Sequence, residues 1–137
     1  MLREDYLMRL IQQVADFLAQ IAGHDRKHDP EAAIREAERA WDELLGVPRD
    51  LIEVTDSATL AELLRDPAKI RAASQLLVAE ARVMKGNGDP LGAAVLYRRA
   101  LELVLEARAL DPTDADDAMV FELSREVPPS TIDARYR

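Results

Sequence analysis

Two histidines, His24 and His28, stand four residues apart with Asp25 and Asp29 beside them. On a helix that spacing puts both imidazoles on one face, where they could share a divalent metal. Gly23 before them and Pro30 after them argue for a loop instead, and the segment lacks the Glu of a zinc-protease helix. Residues 23–29 are therefore expected to form a solvated turn in which Asp29 caps the next helix, and no metal site is assigned. Asp111, Asp114, Asp116 and Asp117 cluster, but a calcium loop needs a central glycine and a distal Glu. Acids at a helix start are what the helix dipole favours. Gly86-Asn87-Gly88 precedes a helix as phosphate loops do, yet it follows a helix and lacks the Lys-Ser/Thr pair. The serines Ser57, Ser74, Ser124 and Ser130 have no nucleophile-elbow glycines around them. None of the 26 acids is set in an apolar stretch that would raise its pKa. No catalytic residue, cofactor or metal is assigned, and the chain is not read as an enzyme.

Composition narrows the partners. With 137 residues the chain is long enough for one domain with a real core. It has no cysteine, so no disulfide frame or thiol nucleophile exists. A net charge of −8 argues against nucleic acid or an anionic membrane as partner. No apolar run reaches the ~18 residues that cross a bilayer. Met1-Leu2-Arg3-Glu4-Asp5 lacks the basic start of a signal peptide, so a cytoplasmic setting is expected. Aromatics are only 4% while Leu and Ala dominate, which favours helix over sheet.

The expected fold is all-α. Leu7, Leu10, Ile11, Val14, Phe17, Leu18 and Ile21 mark a first helix over 2–22, ended by Gly23. Asp29-Pro30 opens a second, running to Leu45 with Ala33, Ile34, Ala37, Ala40, Trp41, Leu44 and Leu45 inward, and Gly46 ends it. Asp66-Pro67 opens a third long helix to Lys85, and Asp89-Pro90 a fourth past Leu105. An offset of 60 places Asp29 on Asp89, Ala33 on Ala93, Arg39 on Arg99 and Ala40 on Ala100, so two helix pairs of one build are predicted. Between them lies an insert, with a short helix in 48–54 and another opened by a capping box at Thr59-Leu60-Ala61-Glu62. A capping helix over 114–126 and a flexible tail over 127–137 complete a single domain, residues 1–126, of two long antiparallel pairs.

Ala93, Tyr97 and Ala100-Leu101, with turn glycine Gly88 and small Ala81, resemble a tetratricopeptide-repeat hairpin. Leu77 and Glu80 stand where that family places its Trp and Leu-Gly. The whole layout, beginning with Asp5-Tyr6-Leu7-Met8-Arg9, is similar to an uncharacterised bacterial family with a tetratricopeptide-like fold. That resemblance implies a concave surface lined by the first helix of each pair. By it, Arg9, Gln13, Arg71, Gln75 and Arg82 form a polar strip that meets a protein or peptide partner. The expected function is a non-catalytic interaction or scaffold module. The alternative is a structural homodimer burying leftover apolar surface, with a metal-dependent enzyme through His24 and His28 behind both.

Overall fold

The computed structural model describes residues 2–137. In chain order it contains α1 (Leu2–Arg26), α2 (Pro30–Ala40) and a π-turn (Trp41–Leu45). A 3₁₀ turn (Arg49–Glu53), α3 (Ser57–Leu64), α4 (Pro67–Gly86) and α5 (Pro90–Leu110) follow, then α6 (Asp114–Ser124) and two 3₁₀ turns, Pro129–Thr131 and Ala134–Tyr136. The described residues are all-helical, without a strand, and none of their helices is long and apolar enough to cross a membrane.

Aspartate caps set where four of these helices begin. Asp29, Asp56, Asp66 and Asp89 each accept a backbone N–H of the first turn, from Ala32, Thr59, Ala68 and Gly92. Proline occupies the first turn of α2, α4 and α5, where its missing N–H costs nothing. The capping box expected at Thr59 is displaced: Asp56 is the cap, and Thr59 supplies the N–H. A true capping box sits at Thr113 and Asp116, opening α6.

The 60-residue repeat extends to backbone detail. Asp29 has φ −116°, ψ 77°, and Asp89 has φ −118°, ψ 71°. The Asp29 N–H donates to the His24 carbonyl as the Asp89 N–H donates to that of Met84. His28 takes φ +58° where Gly88 takes φ +84°. Helix α1 therefore does not stop at Gly23. It continues through His24 to Arg26, and the left-handed residue that ends it is His28. A glycine weakens a helix without by itself ending it, so the end falls where the closing bonds form.

The most extensive helix–helix contacts are between α4 and α5, then between α1 and α2. Each pair is joined by a three-residue turn, so its members run antiparallel. Small side chains let α4 and α5 approach: Ala73, Ala81, Ala93 and Ala100 are buried, and the Ser74 hydroxyl donates to the Ala100 carbonyl at 2.7 Å. On α1 the core takes Leu10, Val14, Phe17 and Ile21, while Ile11, expected in the same stripe, is 64% exposed. Between α3 and α4 the chain turns on Arg65, at φ +64°, with the Asp66 N–H donating to the Leu64 carbonyl at 2.7 Å. Residues 127–137 lie along α5. Val127 and Ile132 are buried, and the Asp133 N–H donates to Glu102.

The repeat supplies its own test of backbone strain. Replacing His28 with glycine should stabilise the protein by about 0.5–1 kcal/mol, because a left-handed conformation costs a non-glycine residue ~1–2 kcal/mol before glycine's greater unfolded-state entropy is subtracted. Gly88→Ala should destabilise by a similar amount. Urea unfolding monitored by circular dichroism reads both, and a destabilised His28→Gly would contradict the equivalence of the two turns.

Candidate binding groove

Helix α4 lies between α1 and α6. Arg3 at the start of α1 grips Asp66 at the start of α4 through two contacts of 3.1 and 3.2 Å. Arg71 on α4 does the same to Asp116 on α6: Nε donates to Oδ1 at 2.8 Å and Nη2 to Oδ2 at 3.0 Å, and Nη2 also reaches the Asp111 carbonyl. Toward the other end, Lys85 Nζ meets Glu126, two residues past the end of α6, at 3.4 Å. Starts lie by starts and ends by ends, so α1, α4 and α6 run parallel. Helix α6 packs mainly on α5 and reaches α4 through these long side chains. The space left between the three helices is an open groove of about 740 Å³.

Its floor is Gln75, Val78, Ala79 and Arg82 of α4, with Tyr97 of α5 beneath. One wall is Leu18, Ala22 and Asp25 of α1, and the other is Ala118, Met119 and Glu122 of α6. The surface is mixed: apolar along the middle, with Arg82 and Gln75 exposed on the floor and Asp25, Glu122 and Glu126 on the rims. Such a surface can accept an apolar side chain and satisfy a few polar groups beside it.

The five residues expected to form the binding strip divide. Gln75 and Arg82 line the groove. Arg71 lies on the same helix but is consumed by Asp116 and the Asp111 carbonyl, so its role is to hold α6. Arg9 and Gln13 are exposed on the side of α1 turned away from Leu18, about half a helical turn round. The apolar walls from Ala118 and Met119 were missed. Their signal is Ala115, Ala118, Met119 and Glu122, one helical face that adjoins the buried Leu123.

Elsewhere the structure sorts the other candidates. His24 lies within the last turn of α1 and His28 in the turn after it. Among the described residues, no three His, Asp or Glu side chains converge to hold a metal. Asp116 is spent on Arg71, and Asp117 meets Arg108 at 3.3 Å. Gly86-Asn87-Gly88 closes α4 and turns into α5.

Buried charge, unforeseen in the sequence, sits on the opposite side of α4. Glu80 is 1% exposed and accepts from Arg49 Nε at 2.8 Å. Burial pushes its carboxyl above the usual range, and the charge and hydrogen bond of Arg49 offset this only in part. The buried Trp41 indole N–H faces the same carboxylate without making a bond of normal geometry. A second network ties α3 and the tail to α5. Ser57 Oγ donates to Glu102 at 2.8 Å and accepts from Arg99 Nε at 2.8 Å, and Arg99 Nη1 donates to the Ile52 carbonyl at 2.6 Å. Burial, together with the hydrogen bond that the Tyr136 hydroxyl donates to Glu106, holds the phenol well above its ordinary range. A cavity of about 360 Å³ adjoins this network. Glu102, the carboxylate nearest Ser57, already accepts from the Asp133 N–H and Arg98 as well. It therefore ties α3 and the tail to α5.

No protein-family model, no curated protein and no solved structure matches this chain.

Two outcomes check this electrostatic description. Burial raises the Asp116 carboxyl, but the Arg71 hydrogen bond and the Thr113 N–H outweigh it, so Asp116 titrates below the usual carboxylate range. Its pairing is therefore fully present at neutral pH and fades as acid carries the solution below the ordinary carboxylate value. Asp116→Asn should cost about 2 kcal/mol near neutrality, and the gap from the parent should narrow in acid, as read by denaturant titrations at several pH values. Arg49→Met should cost about 3–5 kcal/mol by stranding Glu80, and adding Glu80→Leu should recover most of it. A double variant no more stable than the single would show that Glu80 is not the stranded group.

Proposed function

We propose that this protein is a non-catalytic protein-interaction module of tetratricopeptide-like build, binding a peptide segment in the groove between α1, α4 and α6. The carrying observation is the placement of that groove. Its walls and floor come from the first helix of each pair and from the helix that follows them, the surface by which helical repeats take their ligands. Further support comes from the 60-residue repeat with its shared turn geometry, and from the alanine-mediated approach of α4 to α5.

The occupant is an amphipathic segment. Its apolar side chains sit against Leu18, Val78 and Met119, and an acidic or carbonyl group reaches Arg82 and Gln75 on the floor. This is the helix-in-groove mode, in which a few anchors supply affinity and groove shape supplies selection. Arg71 contributes indirectly, because the groove has two walls only while α6 is held at its distance from α4.

A peptide library selected on the purified protein tests the proposal. Selected peptides should carry apolar anchors with an acidic flank. Their affinity should fall at least about tenfold on Ala79→Arg, which fills the floor, and on Arg82→Glu. Arg9→Glu, on the far side of α1, should leave binding unchanged. Peptides that bind Ala79→Arg as tightly as the parent would remove the groove as the site.

A further inference from the structure

Helix α1 has a second apolar face. Its first, Leu10, Val14, Phe17 and Ile21, is buried in the core. About a third of a turn away, Met8 is 70% exposed and Ile11 64% exposed, and Ala15, Ala19 and Ala22 are exposed along the same line. Charged residues close this seam at both ends, Glu4 before it and Arg26 after it, and both are exposed. A surface helix needs one apolar stripe to join its core. A second, at the 3–4 residue spacing of a coiled-coil seam, needs a second partner.

The seam has a symmetry of its own. Counted outward from Ala15, Met8 lies seven residues before and Ala22 seven after. Ile11 lies four before and Ala19 four after, and Glu4 and Arg26 lie eleven away on either side. Each large side chain thus corresponds to a small one, and the acid corresponds to the base.

We propose that the occupant of this face is a second copy of the same chain, its α1 laid antiparallel across a two-fold axis at Ala15. In that arrangement Met8 and Ile11 of each copy pack over Ala22 and Ala19 of the other, and Glu4 meets Arg26 twice. The contact is isologous, as a two-fold dimer requires, and runs about 33 Å from Glu4 to Arg26 at 1.5 Å per residue. A parallel pair has none of these matches. It sets Met8 on Met8, leaves gaps between facing alanines, and opposes Glu4 to Glu4 and Arg26 to Arg26. The seam borders the groove at Leu18 and Ala22, so the second copy would form an extension of one groove wall.

Sedimentation equilibrium of the full chain should give a dimer. Ala15→Glu, which opposes two carboxylates at the axis, should weaken it about a hundredfold or more while leaving the helical circular dichroism and melting of this exposed position intact. Glu4→Arg and Arg26→Glu should each weaken the dimer severalfold, and the two together should restore it. Because the parent has no cysteine, Ala15→Cys should oxidise cleanly to a covalent dimer, whereas Met8→Cys should not. A chain that stays monomeric at millimolar concentration, a Met8→Cys that cross-links as readily as Ala15→Cys, or a dimer unaffected by Ala15→Glu would each overturn the proposal.

Discussion

Helix α4 is covered on several sides at once, and the rest of the molecule follows from what that demands of its side chains. It packs against α1, α2, the π-turn, α3 and α5. No helix can present large side chains in every direction and still let neighbours approach to the ~8–10 Å of ordinary helix packing. Helix α4 resolves this by sector. Ile70, Leu76 and Leu77 are fully buried, each worth about 1.5–3 kcal/mol. Ala73, Ser74 and Ala81 make room for α5. The sector left over faces neither pair, and there the side chains are Gln75, Ala79 and Arg82. The groove is thus the remainder of a packing problem: α6 rests on α5 and is held from α4 at the length of an arginine–aspartate pair.

Polar groups do much of the specifying around that helix. Glu80 on one side and Arg71 on the other both engage partners distant in sequence, Arg49 and Asp116. Buried ion pairs of this kind contribute little net stability over an apolar replacement. What they do is discriminate between arrangements, because a slipped α6 or a displaced 49–53 turn would leave a desolvated charge without its counterpart. The Ser57–Glu102–Arg99 network plays the same part for α3 and the tail. It explains why residues 127–137, polar and proline-bearing, are laid in place along α5: Glu102 and Glu106 offer acceptors to the Asp133 N–H and the Tyr136 hydroxyl.

Local chemistry was legible in the sequence and context was not. Each Asp-Pro start was readable because cap and proline act within one turn, and the alanine positions of α5 because they serve a repeated contact. The fate of charges was unreadable. Arg39 and Arg99 occupy the same repeat position, yet Arg39 is exposed over the Phe17 ring and Arg99 is 8% exposed against Ser57 and Ile52. The difference lies in what covers them: the insert covers α5, and nothing comparable covers α2. Glu80 shows the same limit. Its spacing of three from Leu77 and four from Leu76 places it on a buried face, but only knowledge of Arg49, 31 residues away, says that the face tolerates a carboxylate. The surroundings of the five strip residues were unreadable for a related reason. Gln75 and Arg82 line the groove, whereas Arg71 is claimed by Asp116 and the rotation of α1 carries Arg9 and Gln13 away from it.

The contrast between His28 and Gly88 bears on how the two helix pairs differ in role. Both turns need a left-handed residue, and only the later one has the residue that adopts it without cost. The earlier pair is also the one with the shorter α-helix, α2, finished by a π-turn whose i→i−5 bond, Gly46 N–H to the Trp41 carbonyl at 3.1 Å, brings Trp41 against Glu80. Strain sits in the turn that joins α1 to α2, and the widened turn and the imperfectly paired carboxylate sit at the other end of α2, against α4. The pair α4–α5 has regular helices, a glycine turn and the larger interface. These features predict that α1–α2 opens at lower cost than α4–α5. Helix α1 supplies a groove wall and, bordering it at Ala22, an uncovered apolar seam. On the proposed readings, a ligand in the groove or a second copy on the seam would bind only the folded chain and stabilise it by mass action.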